Sequence, residues 1–69
     1  EAMIKTLSNR EFEVFRYIAA CLKSSDIARE MNISVKTVEA HKLNIKARLN
    51  LRSGTELIKF AIEWKHKNS

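Results

Sequence analysis

The apolar positions of this chain fall into four segments with helical spacing, separated by short polar stretches. None of these segments shows the alternation of apolar and polar residues that is typical of a strand. The chain contains no Pro and one Gly, and helix-forming residues dominate. The pattern predicts an all-α fold, a four-helix bundle spanning residues 7–66 as one domain. Residues 1–6 lack a pattern and are interpreted as a linker remnant.

The first apolar segment has a clear beginning and a continuous face. Ser8, with Glu11 three residues later, has the spacing of a capping box, in which each side chain accepts from the other residue's amide. The residues that then share one face, at a spacing that predicts burial, are Val14, Phe15, Ile18, Cys21 and Leu22. Glu11 lies at the edge of this face, and a carboxylate there needs a partner. We expect that partner to be Arg48 or Arg52.

Residues 24–49 read as a short helix, a three-residue turn and a longer helix. Ser24 and Ser34 are candidate N-caps, and Asn32 tolerates the left-handed conformation that ends helices. Two helices joined by so tight a turn are typical of a DNA-binding helix-turn-helix motif, placed here at about residues 24–43. Its second helix, the third of the domain, is the predicted recognition helix.

The recognition helix has two different sides. Val38, Ile45 and Leu49 fall within about 20° of one line, which we expect to face the core. The opposite side carries Lys36, Ala40, Leu43 and Ala47. The edges between the two sides carry Thr37, His41, Asn44 and Arg48 on one flank and Glu39 and Lys46 on the other, with Lys42 between that second flank and the core. An outward face of small residues with polar and cationic edges suits a helix that lies in a DNA groove between two phosphate backbones. The alternative is an ordinary helix face exposed to solvent.

The fourth segment begins with a second capping box, Ser53 with Glu56. Its apolar residues cover an arc of about 200°, wider than the roughly 100° that a surface helix needs. The excess indicates a second surface, against a like helix in a dimer or a neighbouring domain, with a wide core stripe as the simpler alternative. For a dimer, the expected interface residues are Phe60, Ile62 and Trp64.

The charge of the chain is concentrated on the proposed recognition helix and its exit. The 69 residues carry a net charge of +5, and residues 34–52 hold five basic residues against Glu39, a net charge of +4. That distribution indicates a polyanionic partner. Glu39 can accept a hydrogen bond from cytosine N4, or it only reduces the positive charge of a basic helix. Ala40 and Leu43 can contact thymine methyls. We expect phosphate contacts from Ser24, Ser25, Lys36, Lys42 and Lys46, and we expect Arg48 to contact the DNA as well.

Other function classes find no support in the sequence. The single Cys allows no internal disulfide and suits a reducing cytoplasm, and no apolar run or leader indicates a membrane or secretory destination. Cys21, His41 and His66 lack metal-ligand spacing, so no metal or other cofactor is expected. No nucleophile, base and orienting acid converge, and so small a domain has no room for an enclosed active site, so we do not expect an enzyme.

The chain resembles the LuxR-type (GerE-like) helix-turn-helix domain over about residues 6–64. The residues that carry the resemblance are Leu7-Ser-Asn-Arg-Glu11, Val14, Ile18-Ala19, Ile27-Ala28, Ile33-Ser34, Thr37-Val-Glu-Ala-His41, Asn44-Ile45, Leu49, Arg52 and Glu56. This family is found at the C-terminal end of NarL/FixJ-type response regulators and of quorum-sensing regulators.

The resemblance implies a four-helix domain of a bacterial transcription factor, dimeric through its fourth helix. It also implies an N-terminal receiver or ligand-binding domain that this sequence does not contain. The family's recognition positions fall on Lys36, Glu39, Ala40 and Leu43, and its backbone-contacting positions fall on Thr37, His41, Lys42 and Asn44. This sequence departs from the family at Cys21, where Gly is usual, and at Leu43, where a polar or basic residue is common.

The function expected from the sequence is therefore binding of double-stranded DNA, as the output domain of a bacterial regulator, most simply a two-component response regulator. Two alternatives remain. A promoter-reading domain of a sigma factor shares the helix-turn-helix motif, and a protein-interaction module would use the apolar stripe of helix four without contacting DNA.

Overall fold

The computed structural model describes residues 2–68, and these residues contain no strand. A short 3₁₀ helix, Ala2–Thr6, precedes four α-helices: α1 Asn9–Ala19, α2 Ser24–Met31, α3 Val35–Arg48 and α4 Gly54–Lys67. The all-α prediction with a helix-turn-helix arrangement of α2 and α3 is therefore confirmed.

The segment interpreted as a linker remnant is structured over its described part, residues 2–6. Glu1 lies outside the described residues. Ile4 and Leu7 pack against the core, and the carbonyl of Thr6 accepts a hydrogen bond from Arg48. This segment is thus attached to the folded domain by apolar and polar contacts.

Polar side chains define where the helices begin, with two differences from the sequence-based predictions. The Ser8–Glu11 capping box is present in full, and Ser34 caps α3 by accepting from the Thr37 amide. Ser24 does not cap α2, because Lys23 occupies the N-cap position and Ser24 is already helical.

The second predicted capping box forms only in part. Ser53 accepts from the Glu56 amide, but the Glu56 carboxylate accepts from the amide of Arg52, one residue before the cap, at 2.7 Å. The Glu56 carboxylate therefore fixes the residue that precedes the cap, and it does not accept a hydrogen bond from the amide of Ser53.

The first three α-helices all end with a non-glycine residue in the left-handed conformation. These residues are Cys21, Asn32 and Asn50, with φ angles of 68°, 58° and 58°. In each case the next amide donates back across the last helical turn, as in Leu22 to the Tyr17 carbonyl at 3.1 Å. The apolar residues that follow, Leu22, Ile33 and Leu51, pack against the core.

The expectation that Cys21 is buried is wrong. Its thiol is exposed, because the left-handed backbone at residue 21 turns the chain away from the α1 face before the next residue returns to the core.

The core lies where α1 meets α3 and α4, while α2 packs against α3. Val38 and Ile45 are fully buried and Leu49 is 3% exposed, which confirms the inner face predicted for α3. Phe15 on α1 is also fully buried, and its ring packs edge-on against the rings of Phe60 and Trp64 on α4. Helix α3 is thus fixed from two sides, and its remaining face is turned outward.

Candidate nucleic-acid interface

The outward face of α3 is an exposed surface with an apolar crest. Lys36, Ala40, Leu43 and Ala47 are all exposed, as the angular pattern predicted, and Leu43 is 64% exposed. Because Val38 and Ile45 hold the opposite side in the core, this face cannot turn inward without breaking the packing of α3. The large apolar side chain of Leu43 therefore stands in water in the free domain.

Cationic side chains border this crest. Lys36 is exposed and Lys46 is partly buried, and neither forms an ion pair with any residue in the described part of the chain. Unpaired lysines at the edge of an exposed helix face are free to neutralise phosphates. Of the polar residues on the other flank, Thr37 and Asn44 are exposed and His41 is partly buried.

The N-terminal end of α3 is held by its own hydroxyl groups. Ser34 Oγ accepts from the Thr37 amide at 3.1 Å, and the two hydroxyls lie 2.9 Å apart. The Thr37 hydroxyl therefore has a fixed position at the end of the recognition helix that carries the positive dipole.

Three side chains join the beginning of α2 to α3, and we call them the Glu39 cluster: Ser24, Glu39 and Lys42. The hydroxyl of Ser24 donates to the Glu39 carboxylate, and Lys42 Nζ donates to Ser24 Oγ at 2.6 Å. Lys42 Nζ also lies 3.8 Å from Glu39 Oε2. The adjacent Ser25 is exposed.

Sequence reasoning placed the members of this cluster at separate DNA contacts and missed their connection. The spacing of three residues between Glu39 and Lys42 on one helix was a usable signal for an ion pair. The contact with Ser24 crosses from one helix to another, and no local pattern could indicate it.

Arg48, expected on the DNA-facing flank, has intramolecular partners at the C-terminal end of α3. Its Nε lies 3.2 Å from Glu11 Oε1, and its Nη1 donates to the Thr6 carbonyl at 2.8 Å. The prediction that Glu11 pairs with a basic residue is confirmed, with Arg48 as the partner. The guanidinium is directed towards α1 because the buried Glu11 carboxylate attracts it.

Helix α4 divides its apolar residues between the core and the outer surface. Phe60 and Trp64 are partly buried against the core, with the Trp64 ring 5.3 Å from that of Phe15 and 5.7 Å from that of Phe12. Ile62 is partly buried but lies outside the described core packing. Ile58, which belongs to the apolar arc but was not among the expected interface residues, is 48% exposed. Ile58 and Ile62 are four residues apart, so they lie on one line of the helix surface.

Neither a metal site nor a membrane-spanning helix is evident in the described residues. Over residues 2–68, no group of three or more His, Cys, Asp and Glu side chains has a geometry that could hold a metal ion. Over the same residues, no helix combines the length and the apolar character needed to cross a bilayer.

The sequence of this chain matches a described family of proteins. The family model for bacterial regulatory proteins of the luxR family, GerE, matches residues 5–61. Among curated proteins, the chain is similar to the oxygen regulatory protein NreC of Staphylococcus epidermidis, with 48% identity over 61 residues. The proteins of the same name from Staphylococcus haemolyticus and Staphylococcus carnosus are 46% and 44% identical over 61 residues. Each match covers 88% of this chain and 28% of the relative.

Proposed function

Because this chain belongs to the LuxR family of bacterial regulatory proteins, we propose that it binds double-stranded DNA sequence-specifically, as the output domain of a transcriptional regulator of the two-component response-regulator type. The observation that carries the proposal is the outward face of α3, where exposed Leu43 and Ala40 are bordered by Lys36 and Lys46 while the opposite face is buried. A helix held in this way can enter a major groove without rearrangement.

The proposed base contacts are made by the residues along the outward face, Lys36, Glu39, Ala40 and Leu43. Leu43 and Ala40 would contact thymine methyls, and Glu39 would accept from a cytosine amino group. The proposed backbone contacts come from Ser24, Ser25, Thr37, His41, Lys42, Asn44 and Lys46. We propose that the domain acts by binding alone, without catalysis, and that it does so in the bacterial cytoplasm, where its proposed DNA partner lies.

We further propose that two copies bind together through α4. Ile62 and Ile58 form the apolar line on the outer side of this helix, whereas Phe60 and Trp64 contribute mainly to the domain's own core. A single small module buries a modest area on DNA, so pairing on two half-sites would raise both affinity and specificity.

A salt titration of binding to duplex DNA tests the proposed function. Fluorescence anisotropy should show an affinity that falls linearly with the logarithm of salt concentration, and selection from a random duplex pool should recover a defined site. Lys46→Ala, which removes one of the proposed backbone contacts, should lower the salt slope by about 0.9. Lys67→Ala, which removes an exposed lysine at the far end of α4, is the matched control and should leave the slope unchanged. Absence of duplex binding by the unmodified chain would refute the proposal and favour an interaction module.

A further inference from the structure

We propose that Glu39 acts as an internal anion that competes with DNA phosphates for Lys42 and Ser24, and that this competition lowers the affinity for sequences that Glu39 cannot read. The inference rests on the proposed DNA-binding function and assigns Glu39 a second role in it, as a determinant of specificity that opposes binding to the wrong sequence.

The Ser24 hydroxyl is engaged by both charged members of the Glu39 cluster. The single hydroxyl proton of Ser24 is donated to Glu39, and the hydroxyl oxygen accepts from Lys42. In this arrangement Ser24 has no proton left for a phosphate oxygen. A phosphate that contacts Ser24 therefore has to displace the Glu39 carboxylate.

The two charged members of the Glu39 cluster differ in exposure. The side chain of Lys42 is 25% exposed, whereas that of Glu39 is 57% exposed. Lys42 is thus the more buried of the two and donates to Ser24, whereas Glu39 is the more exposed and, by its position on the helix, lies nearer the outward face of α3. A carboxylate in this position repels phosphates and partly neutralises the cation beside it.

Whether a duplex supplies a new hydrogen-bond donor to Glu39 depends on the base sequence. A site that presents a cytosine amino group to Glu39 supplies a new donor for the displaced carboxylate. A site that presents only acceptors leaves the carboxylate without a partner beside bases and phosphates. The free-energy cost of separating Glu39 from Ser24 and Lys42 is therefore offset at a matching DNA sequence and not at other sequences. The domain would thus reject the wrong sequences through an unfavourable contact.

The test compares Glu39→Gln with Glu30→Gln. Glu30 is exposed on α2 and forms no ion pair with any residue of the described chain, so its variant matches the change in net charge. On a duplex of unrelated sequence, Glu39→Gln should bind about three- to tenfold more tightly than Glu30→Gln. Its salt slope should also be steeper by about 0.9, because Lys42 becomes available to a phosphate. On the site selected by the unmodified chain, Glu39→Gln should bind no more tightly than Glu30→Gln.

A second background ties the effect to Lys42. In a Lys42→Gln chain, adding Glu39→Gln should change the salt slope no more than adding Glu30→Gln does. All variants should keep the circular dichroism and urea midpoint of a folded domain, because the altered side chains lie on the surface or at its edge.

The possible outcomes separate this inference from the proposed function. If the unmodified chain binds duplex DNA but Glu39→Gln and Glu30→Gln behave alike on unrelated sequence, the competition does not exist and the inference is wrong. It is also wrong if Glu39→Gln weakens binding to every sequence. If the unmodified chain binds no duplex at all, the proposed function itself fails.

Discussion

Arg48 Nε lies 3.2 Å from Glu11 Oε1, and this ion pair joins the end of the recognition helix to the beginning of α1. The Glu11 side chain is 6% exposed, while that of Arg48 is 47% exposed. Glu11 also accepts from the amide of Ser8, and Arg48 also donates to the carbonyl of Thr6. Two charged side chains thus hold together the entry segment, α1 and α3.

The first prediction is that Arg48→Gln destabilises the domain by about 1–3 kcal/mol, because the buried Glu11 carboxylate loses its charged partner. The urea midpoint should fall without a change in the dependence of unfolding free energy on urea concentration. Arg52→Gln is the matched control. Its side chain lies in the exposed exit from α3 without an ion pair in the described chain, so its midpoint should stay close to that of the unmodified chain.

The same variant also tests whether Arg48 contacts DNA. If the guanidinium stays with Glu11 in the complex, Arg48→Gln should leave the salt slope of DNA binding unchanged at temperatures where the variant is folded. A slope lower by about 0.9 would show instead that Arg48 neutralises a phosphate, as its place on the helix flank first suggested.

The second prediction is that Cys21→Gly stabilises the domain. Cys21 has a φ of 68°, in a region that costs a side chain-bearing residue about 1 kcal/mol and that Gly adopts freely. For a chain of this size, a gain of about 1 kcal/mol should raise the melting temperature by roughly 4–8 °C. Cys21→Ala keeps the backbone penalty and removes the exposed thiol. An increase as large in Cys21→Ala as in Cys21→Gly would contradict the backbone explanation.

The third prediction separates folding from association on α4. Trp64→Ala should destabilise the domain by about 2–4 kcal/mol, because its ring packs on Phe12 and Phe15. Ile58→Ser should change stability little, because this side chain is 48% exposed, but should weaken self-association measured by sedimentation equilibrium. Unchanged association in Ile58→Ser would place the contact between copies elsewhere.

The fourth prediction concerns base recognition by Leu43. Leu43→Ala removes an exposed apolar group from the crest of α3, so the free energy of unfolding should stay within about 0.5 kcal/mol of that of the unmodified chain. Binding to the selected site should weaken by roughly 1 kcal/mol, about fivefold, while binding to unrelated DNA should not change. Equal losses on both duplexes would mean that Leu43 does not read the sequence.

The elements of this fold were predictable because their signals are local. A capping hydroxyl stands three residues before the amide that it accepts from, as at Ser8 and Ser34. Apolar residues that repeat along one face indicate the buried side of a helix, as at Val38. The exposed crest of α3 followed from the same periodicity. Local chemistry therefore determined which side of α3 faces outward.

The contacts between elements were less accessible to sequence reasoning. Arg48 and Arg52 were equally plausible partners for Glu11, and the choice depends on how α3 crosses α1. The exposure of Cys21 depends on one backbone angle, which an apolar pattern does not encode. The pairing of Ser24 with Glu39 depends on the angle between α2 and α3, so the sequence alone supplied the cluster's members but not their arrangement.

Asn32 and Asn50, the residues in left-handed conformation that end α2 and α3, have a thermodynamic consequence for recognition. Asn32 ends α2 just before the Ser34 cap of α3, and Asn50 ends α3 itself, so the hydrogen bonds that bound α3 are already formed before any partner arrives. The recognition helix is therefore pre-organised, and association need not include the conformational entropy loss of ordering it. The heat-capacity change of complex formation should then reflect the surface removed from water at the interface, without the larger contribution that coupled folding adds.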